Sequence, residues 1–142
     1  NQILSLGVSG HPMGGADIPG FSGIPTDDLF VQFYQLGIYF PFMRAHSTIE
    51  TNTVSLGFKV TVLNRIRDAI NRRYDLIHYI YTTLENTTKT GQPLMRPMWY
   101  EFPGEESLFG MNTQFMFGSD ILVAPKITEP KGADKNSGFQ HV

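Results

Sequence analysis

The chain has 142 residues, 41% of them hydrophobic, and a formal net charge of −2 at pH 7. That is one ordinary domain's length with apolar material enough for a core, and the near-neutral balance offers no basic surplus to nucleic acid or an anionic membrane. With no cysteine, disulfides and thiol chemistry are excluded within it, and no apolar run is long enough to span a bilayer.

Residues 1 to 10 are apolar at Ile3, Leu4, Leu6 and Val8 and read as the tail of a helix leading through Gly7 and Gly10 into a first strand. Residues 11 to 18 are apolar and glycine-rich around one acid, which predicts a core strand with Asp17 at its carboxyl end and glycines that let backbone pass close to a ligand. Pro25-Thr26-Asp27-Asp28 is a helix start, with Thr26 as N-cap and two acids facing the helix dipole. Leu29, Phe30, Phe33, Tyr34 and Leu36 give that helix an apolar face, and Gly37 is its expected C′ stop. A second apolar segment, residues 38–43, ends on Arg44 and His46. Strand–helix–strand order predicts consecutive βα units, and adjacent strands of a parallel barrel carry function at their carboxyl ends, so Asp17 and His46 are expected at one mouth.

From Thr61 to about Thr88 a single long helix is predicted from Leu63, Ile66, Ile70, Tyr74, Ile77 and Tyr81, closed by Gly91. Its Arg65, Arg67, Arg72 and Arg73 could bind phosphate, but a solvated face with ion pairs to Asp68 and Asp75 is the better explanation. After Gly91 short apolar runs at residues 94–102 and 115–125, broken by Pro, Gly and Asn, predict β structure and a boundary near Gly91 or Gln92. In that reading Trp99, Tyr100 and Phe102 alternate along a strand and belong to sheet core rather than to a carbohydrate platform. The tail after Lys131 is polar enough to expect disorder.

Other chemistries lack their residues. Neither His-x-x-x-His nor a calcium loop is present, so no metal site is expected. Gly14-Gly15 and Gly20 are not followed by Gly-Lys-Ser/Thr, and no Gly-x-Ser-x-Gly occurs. His11, His78 and His141 stand in no partner pattern and receive no function.

Ordered blocks along the chain resemble glycoside hydrolase family 31, the α-glucosidases and their relatives. They are Gly15-Ala16-Asp17-Ile18-x-Gly20-Phe21, Phe33-x-Gln35-Leu36-Gly37, Pro41-Phe42-Met43-Arg44-Ala45-His46, Ile66-Arg67-Asp68-Ala69, Arg73-Tyr74-Asp75-Leu76-Ile77, Pro93-Leu94-Met95-Arg96-Pro97-Met98 and the run from Gln114 to Pro125. Asp17 and His46 stand at the family's spacing. The resemblance implies an α/β fold: the last two βα units of a (β/α)8 TIM barrel in residues 1–91, then the beginning of a β-sandwich-like, all-β C-terminal domain in residues 92–142. Since family members are several times longer, it also implies a fragment, with which the start at Asn1 rather than Met agrees.

Retaining glycosidases place two carboxyl groups about the scissile bond, one as nucleophile and one as acid/base. In the resembled family both are aspartates on earlier barrel strands, in Trp-x-Asp-Met-Asn and Gly-Asp-Asn contexts that this chain lacks. No catalytic residue is therefore assigned: the resemblance implies that nucleophile and acid/base lie upstream of Asn1, and the isolated chain is expected to be inactive. What it implies within the chain is a share of the −1 subsite: His46 bonded to sugar hydroxyls, Asp17 touching the sugar or orienting a cation, Phe21 as an apolar wall and Arg44 as an anchor for carboxylates. No cofactor is expected.

Within the family the blocks look closest to the catalytic subunit of glucosidase II. That likeness implies an oligosaccharide or N-glycan substrate, a regulatory β subunit as partner and the endoplasmic reticulum lumen as location; a maltase-type relative would be secretory or lysosomal, and an α-xylosidase would differ in specificity. Asn86-Thr87-Thr88, a glycosylation acceptor sequence, suits a secretory compartment. The different-class alternative is a noncatalytic carbohydrate-binding or structural relative. One stretch departs from the family, which continues Arg-Glu-Pro-Trp after Asn52 where this chain has Thr53-Val54-Ser55-Leu56-Gly57-Phe58.

Overall fold

The structure, a computed structural model, describes residues 1–51 and 59–125. The departure at residues 53–58 and the polar tail after Lys131 lie outside the described residues. Helix α1 (Gln2–Val8) leads to strand β1 (Asp17–Pro19), helix α2 (Asp27–Gly37) and strand β2 (Arg44–His46). A 3-10 turn (Ile49–Thr51) follows β2, and helices α3 (Val60–Asp75) and α4 (Ile77–Thr90) come next. Strand β3 (Met95–Pro97) runs into a one-turn helix α5 (Met98–Glu101), and strands β4 (Phe115–Phe117) and β5 (Ile121–Val123) close the described chain. β1 and β2 form a parallel pair; β3, β4 and β5 form an antiparallel sheet in that order.

The amino-terminal apolar stretch is helical, as its spacing indicates. Asn1 is the N-cap residue of α1: its carbonyl accepts from the Ser5 N–H at 3.0 Å, while its side chain makes no capping bond.

Helix α2 forms where the local signals put it. The Leu29 N–H donates to Thr26 Oγ1 at 3.3 Å, capping one of the donors that a helix leaves unpaired at its start. Asp27 and Asp28 also take ion pairs from Lys59 at 3.3 Å and from Arg65 at 3.2 Å. These pairs are largely exposed, so each contributes at most about 1 kcal/mol. The α2–α3 contact is held mainly by Phe30 and Val31 against Val62 and Ile66, all buried.

The end of α2 differs from expectation. Gly37 is the last residue of the helix rather than a left-handed stop, and the chain continues through Ile38 in right-handed conformation. What this position requires is the absence of a side chain, because a Cβ on Gly37 would lie 2.2 Å from Ile18 Cδ1. The apolar segment that follows is not a strand either. Residues 38–43 run as turns and bends, with Ile38 and Phe40 buried, and strand geometry begins only at Arg44.

The long helix is two helices, broken at Leu76 (φ −86°, ψ −1°). α4 ends as the sequence indicates, with Gly91 left-handed at φ 75°. Among the described residues no arginine contact on α3 reaches Asp68 or Asp75: Arg65 pairs with Asp28, Arg67 donates to Asn64 Oδ1 at 2.9 Å, and Arg73 donates to the backbone carbonyls of Ile38, Phe40 and Pro41. Burial lowers the pKa of Arg73 and raises that of Tyr34; an arginine so shifted keeps its charge.

After Gly91 the expected β structure is present, but its first run is shorter than anticipated. Strand geometry ends at Pro97, and Trp99, Tyr100 and Phe102 lie on or just past α5. Trp99 is 38% and Phe102 43% exposed, so neither is sheet core. Arg96, only 4% exposed, anchors this corner by donating to the Pro93 carbonyl at 2.6 Å and to the Glu101 carboxylate. The β4–β5 turn is sealed by Tyr79 of α4, whose hydroxyl donates to the Phe117 carbonyl at 3.1 Å and accepts from the Asp120 N–H at 3.2 Å. One core joins all these parts: Leu4, Ile18, Phe40 and Ile80 pack with Leu94, Met95, Phe115, Phe117 and Val123. No helix among the described residues is long and apolar enough to cross a membrane.

Much apolar surface stays in water. Ile49 is 96%, Ile24 76%, Tyr81 75% and Tyr74 67% exposed, and a two-stranded parallel sheet leaves two open edges. The purified 142-residue chain is therefore expected to bind a hydrophobic dye and to melt without a cooperative transition; a sharp calorimetric transition contradicts this.

Candidate functional site

Parallel pairing of β1 with β2 builds the candidate site. Its register opposes Asp17 to Arg44, Ile18 to Ala45 and Pro19 to His46. Strand side chains alternate between faces. Ile18, fully buried, therefore occupies one face, while Asp17, Arg44 and His46 share the other. Asp17 opens β1 rather than closing it, and His46 closes β2. The two residues expected at one mouth are thus on one face, offset by two positions along the strands.

Arg44 Nε donates to Asp17 Oδ1 at 3.1 Å, with side chains 50% and 25% exposed respectively. The Arg44 guanidinium also lies 5.8 Å from the centroid of the Phe42 ring, within cation–π range. Two positions further along, the rings of Phe21 and His46 are 5.6 Å apart and tilted by 36°. Phe21 is 54% exposed, so its ring forms a rim. Its loop is tied to the segment after β2 by the Thr48 N–H, which donates to the Phe21 carbonyl at 2.9 Å.

The face brings together four kinds of polar or aromatic group. It offers a carboxylate, a guanidinium, an imidazole and an aromatic edge, a set able to donate to and accept from hydroxyls beside an apolar ring face. Asp17 is the one carboxylate of the four residues, where glycosidic cleavage needs a pair. Among the described residues no cluster of three His, Asp or Glu side chains could hold a metal. A cavity of about 370 Å3 lies elsewhere, between α2 and β5, lined by Leu29, Phe33, Leu36, Tyr39, Leu122 and Pro125 among others. Its lining among the described residues holds no carboxylate, imidazole or cation, whereas a second hollow of about 270 Å3, which shares Gln35 and Tyr39 with it, is lined by Arg65, Asp68 and Arg72.

Two features of this region escape sequence reading. Phe42 meets Arg44 two residues away in an irregular segment, where no periodicity indicates which way a ring turns. Arg73 reaches the same segment from α3 through carbonyls 32 to 35 residues distant in sequence, and a bond to backbone leaves no complementary residue to find.

Known proteins match nearly the whole chain. The family model for the glycosyl hydrolases family 31 TIM-barrel domain matches residues 1–83, and that for the family 31 C-terminal domain matches residues 91–138. A probable glucan 1,3-alpha-glucosidase of Arabidopsis thaliana is 44% identical over 125 residues, covering 86% of this chain and 13% of that protein. Human neutral alpha-glucosidase C is 43% identical over 133 residues, covering 92% of this chain and 14% of that protein. Among solved structures, the heterodimeric complex of ER glucosidase II, a catalytic subunit with the binding domain of a regulatory subunit, superposes with a TM-score of 0.83 at 33% identity, covering 89% of this chain and 14% of that one. The chain thus spans about a seventh of the length of each of these two curated relatives. With more than half of its residues inside the barrel-domain match, the chain belongs to glycosyl hydrolase family 31.

Proposed function

We propose that this chain supplies sugar-binding residues of the −1 subsite to a retaining α-glucosidase that removes terminal α-linked glucose from oligosaccharides or N-glycans. The observation that carries the reading is the β1–β2 register, which gathers Asp17, Arg44 and His46 on one strand face with Phe21 over the imidazole. In this reading residues 1–91 are the last two βα units of the barrel and residues 92–142 begin the β domain.

Each residue has a physical part. His46 bonds a hydroxyl of the sugar undergoing cleavage, and that bond strengthens as the ring flattens toward the oxocarbenium-like transition state. Arg44 fixes Asp17 through Oδ1, which leaves Oδ2 to accept from a second hydroxyl; a sugar without that hydroxyl leaves the carboxylate unpaired and is rejected. Phe21 covers the apolar face of the ring. The nucleophile and the acid/base are two aspartates of the whole protein upstream of Asn1. The glucosidase II complex among the structural neighbours supports a regulatory subunit as partner and the endoplasmic reticulum lumen as location for the whole protein.

In the full-length protein, His46→Ala is expected to lower kcat/KM for an aryl α-glucoside by ~10-fold or more, the loss of one transition-state contact. Unchanged kinetics would remove His46 from the subsite. The complete open reading frame is expected to encode both aspartate motifs upstream of this region; their absence, with sugar binding retained, leaves a noncatalytic carbohydrate-binding relative.

A further inference from the structure

The irregular segment that delivers β2 is clamped from two sides. From α3, the Arg73 guanidinium donates to the carbonyls of Ile38, Phe40 and Pro41, at 2.8 Å to Phe40 and 3.1 Å to Pro41. From the β1 side, the Phe42 N–H donates to the Gly14 carbonyl at 3.1 Å, and the Phe42 carbonyl approaches so closely that a Cβ on Gly15 would stand 2.0 Å from it. One residue, Met43, separates this clamp from Arg44.

We propose that Arg73 is a positioning residue for the sugar-binding strand, setting the depth at which Arg44 and His46 stand in the subsite; the inference rests on the subsite reading above. Residues 38–43 belong to no ladder, so their carbonyls need partners from elsewhere. A planar guanidinium can serve three converging carbonyls at once, whereas an ammonium is a single point of charge. The bonds are partly buried, which keeps water from replacing them without displacement of the backbone. Docking of α3 does not depend on them, because Val62 and Ile66, which pack on Phe30 and Val31, lie in the first half of that helix, whereas Arg73 is in its last turn.

The test uses the full-length protein carrying Arg73→Lys, Arg73→Ala, His46→Ala or His46→Ala with Arg73→Lys. The readouts are calorimetric Kd for 1-deoxynojirimycin, an iminosugar mimic of glucose, and thermal unfolding. Arg73→Lys is expected to weaken binding about tenfold. In the double variant it should add little to the loss from His46→Ala, since both act through one strand. A purely structural arginine lowers the unfolding temperature and leaves the Kd of the folded protein unchanged, which overturns the proposal; Arg73→Lys decides the matter if Arg73→Ala does not fold. If His46→Ala weakens binding and Arg73→Lys does not, the subsite stands and the role of Arg73 alone falls. If His46→Ala itself is silent, the subsite reading fails and takes this inference with it.

Discussion

Ile18 packs against a helix end that has no side chain in its way, and the orientation of the whole β1–β2 face follows from that contact. Ile18 is fully buried, and its Cδ1 occupies the space a Cβ on Gly37 would need. Burying an isoleucine contributes roughly 1.5–3 kcal/mol, and the alternation of strand side chains converts that into geometry. With Ile18 inward, Asp17 takes the other face, and a slip of one residue would drive the Asp17 carboxylate into the core. The parallel register then carries the same parity to β2, so Arg44 meets Asp17 and His46 meets Pro19. A three-residue strand needs no long ladder to hold this register, because core packing fixes it.

Parts of this arrangement were legible in the sequence because they depend on neighbours within a turn or two. Thr26 followed by two acids reads as a helix start, and the Thr26–Leu29 cap confirms the local logic. Gly91 reads as a helix stop and adopts the left-handed conformation that makes it one. The misreadings share a cause. Ile38, Phe40 and Pro41 are buried without being in a strand, and apolar residues without a repeating pattern cannot tell a strand from an irregular segment. The break at Leu76 involves neither Gly nor Pro, so the apolar spacing runs across it undisturbed. The alternation from Leu94 to Phe102 imitates a strand, yet Pro97 caps a helical turn whose aromatic rings face partly outward. The expected Asp68 and Asp75 partners for the arginines failed because other groups stand within reach: Arg65 meets Asp28 on the neighbouring helix, Arg73 meets the carbonyls of the loop below, and Arg67 meets Asn64 on its own helix.

The site divides along the same line. Strand reading singled out Asp17, Arg44 and His46, whereas Phe21 and the sugar-binding parts of all four came from resemblance, which carries spacing but no orientation. The structure adds the common strand face, the Arg44–Asp17 contact and the Phe21–His46 pairing. Physical reading alone placed Asp17 at the carboxyl end of a strand; it stands at the amino end, and strand parity, not strand end, puts it on the same face as His46.

The core also bears on how the face is supported. Leu4, Ile18, Phe40 and Ile80 come from the helical and parallel part, whereas Leu94, Met95, Phe115, Phe117 and Val123 come from the antiparallel sheet, and they form one cluster. Ile18 therefore leans on residues from both sides of Gly91, and the hydrogen bonds of Tyr79 to the β4–β5 turn fasten helix to sheet across the same seam. Side chains packed at crystal-like density leave little room for one part to shift while the other stays. The antiparallel sheet is therefore the back wall of the β1–β2 strand pair. A substitution at Phe117, whose ring meets Tyr39 and Tyr79, would loosen the cluster to which Ile18 belongs, and with it the packing that sets the orientation of Asp17.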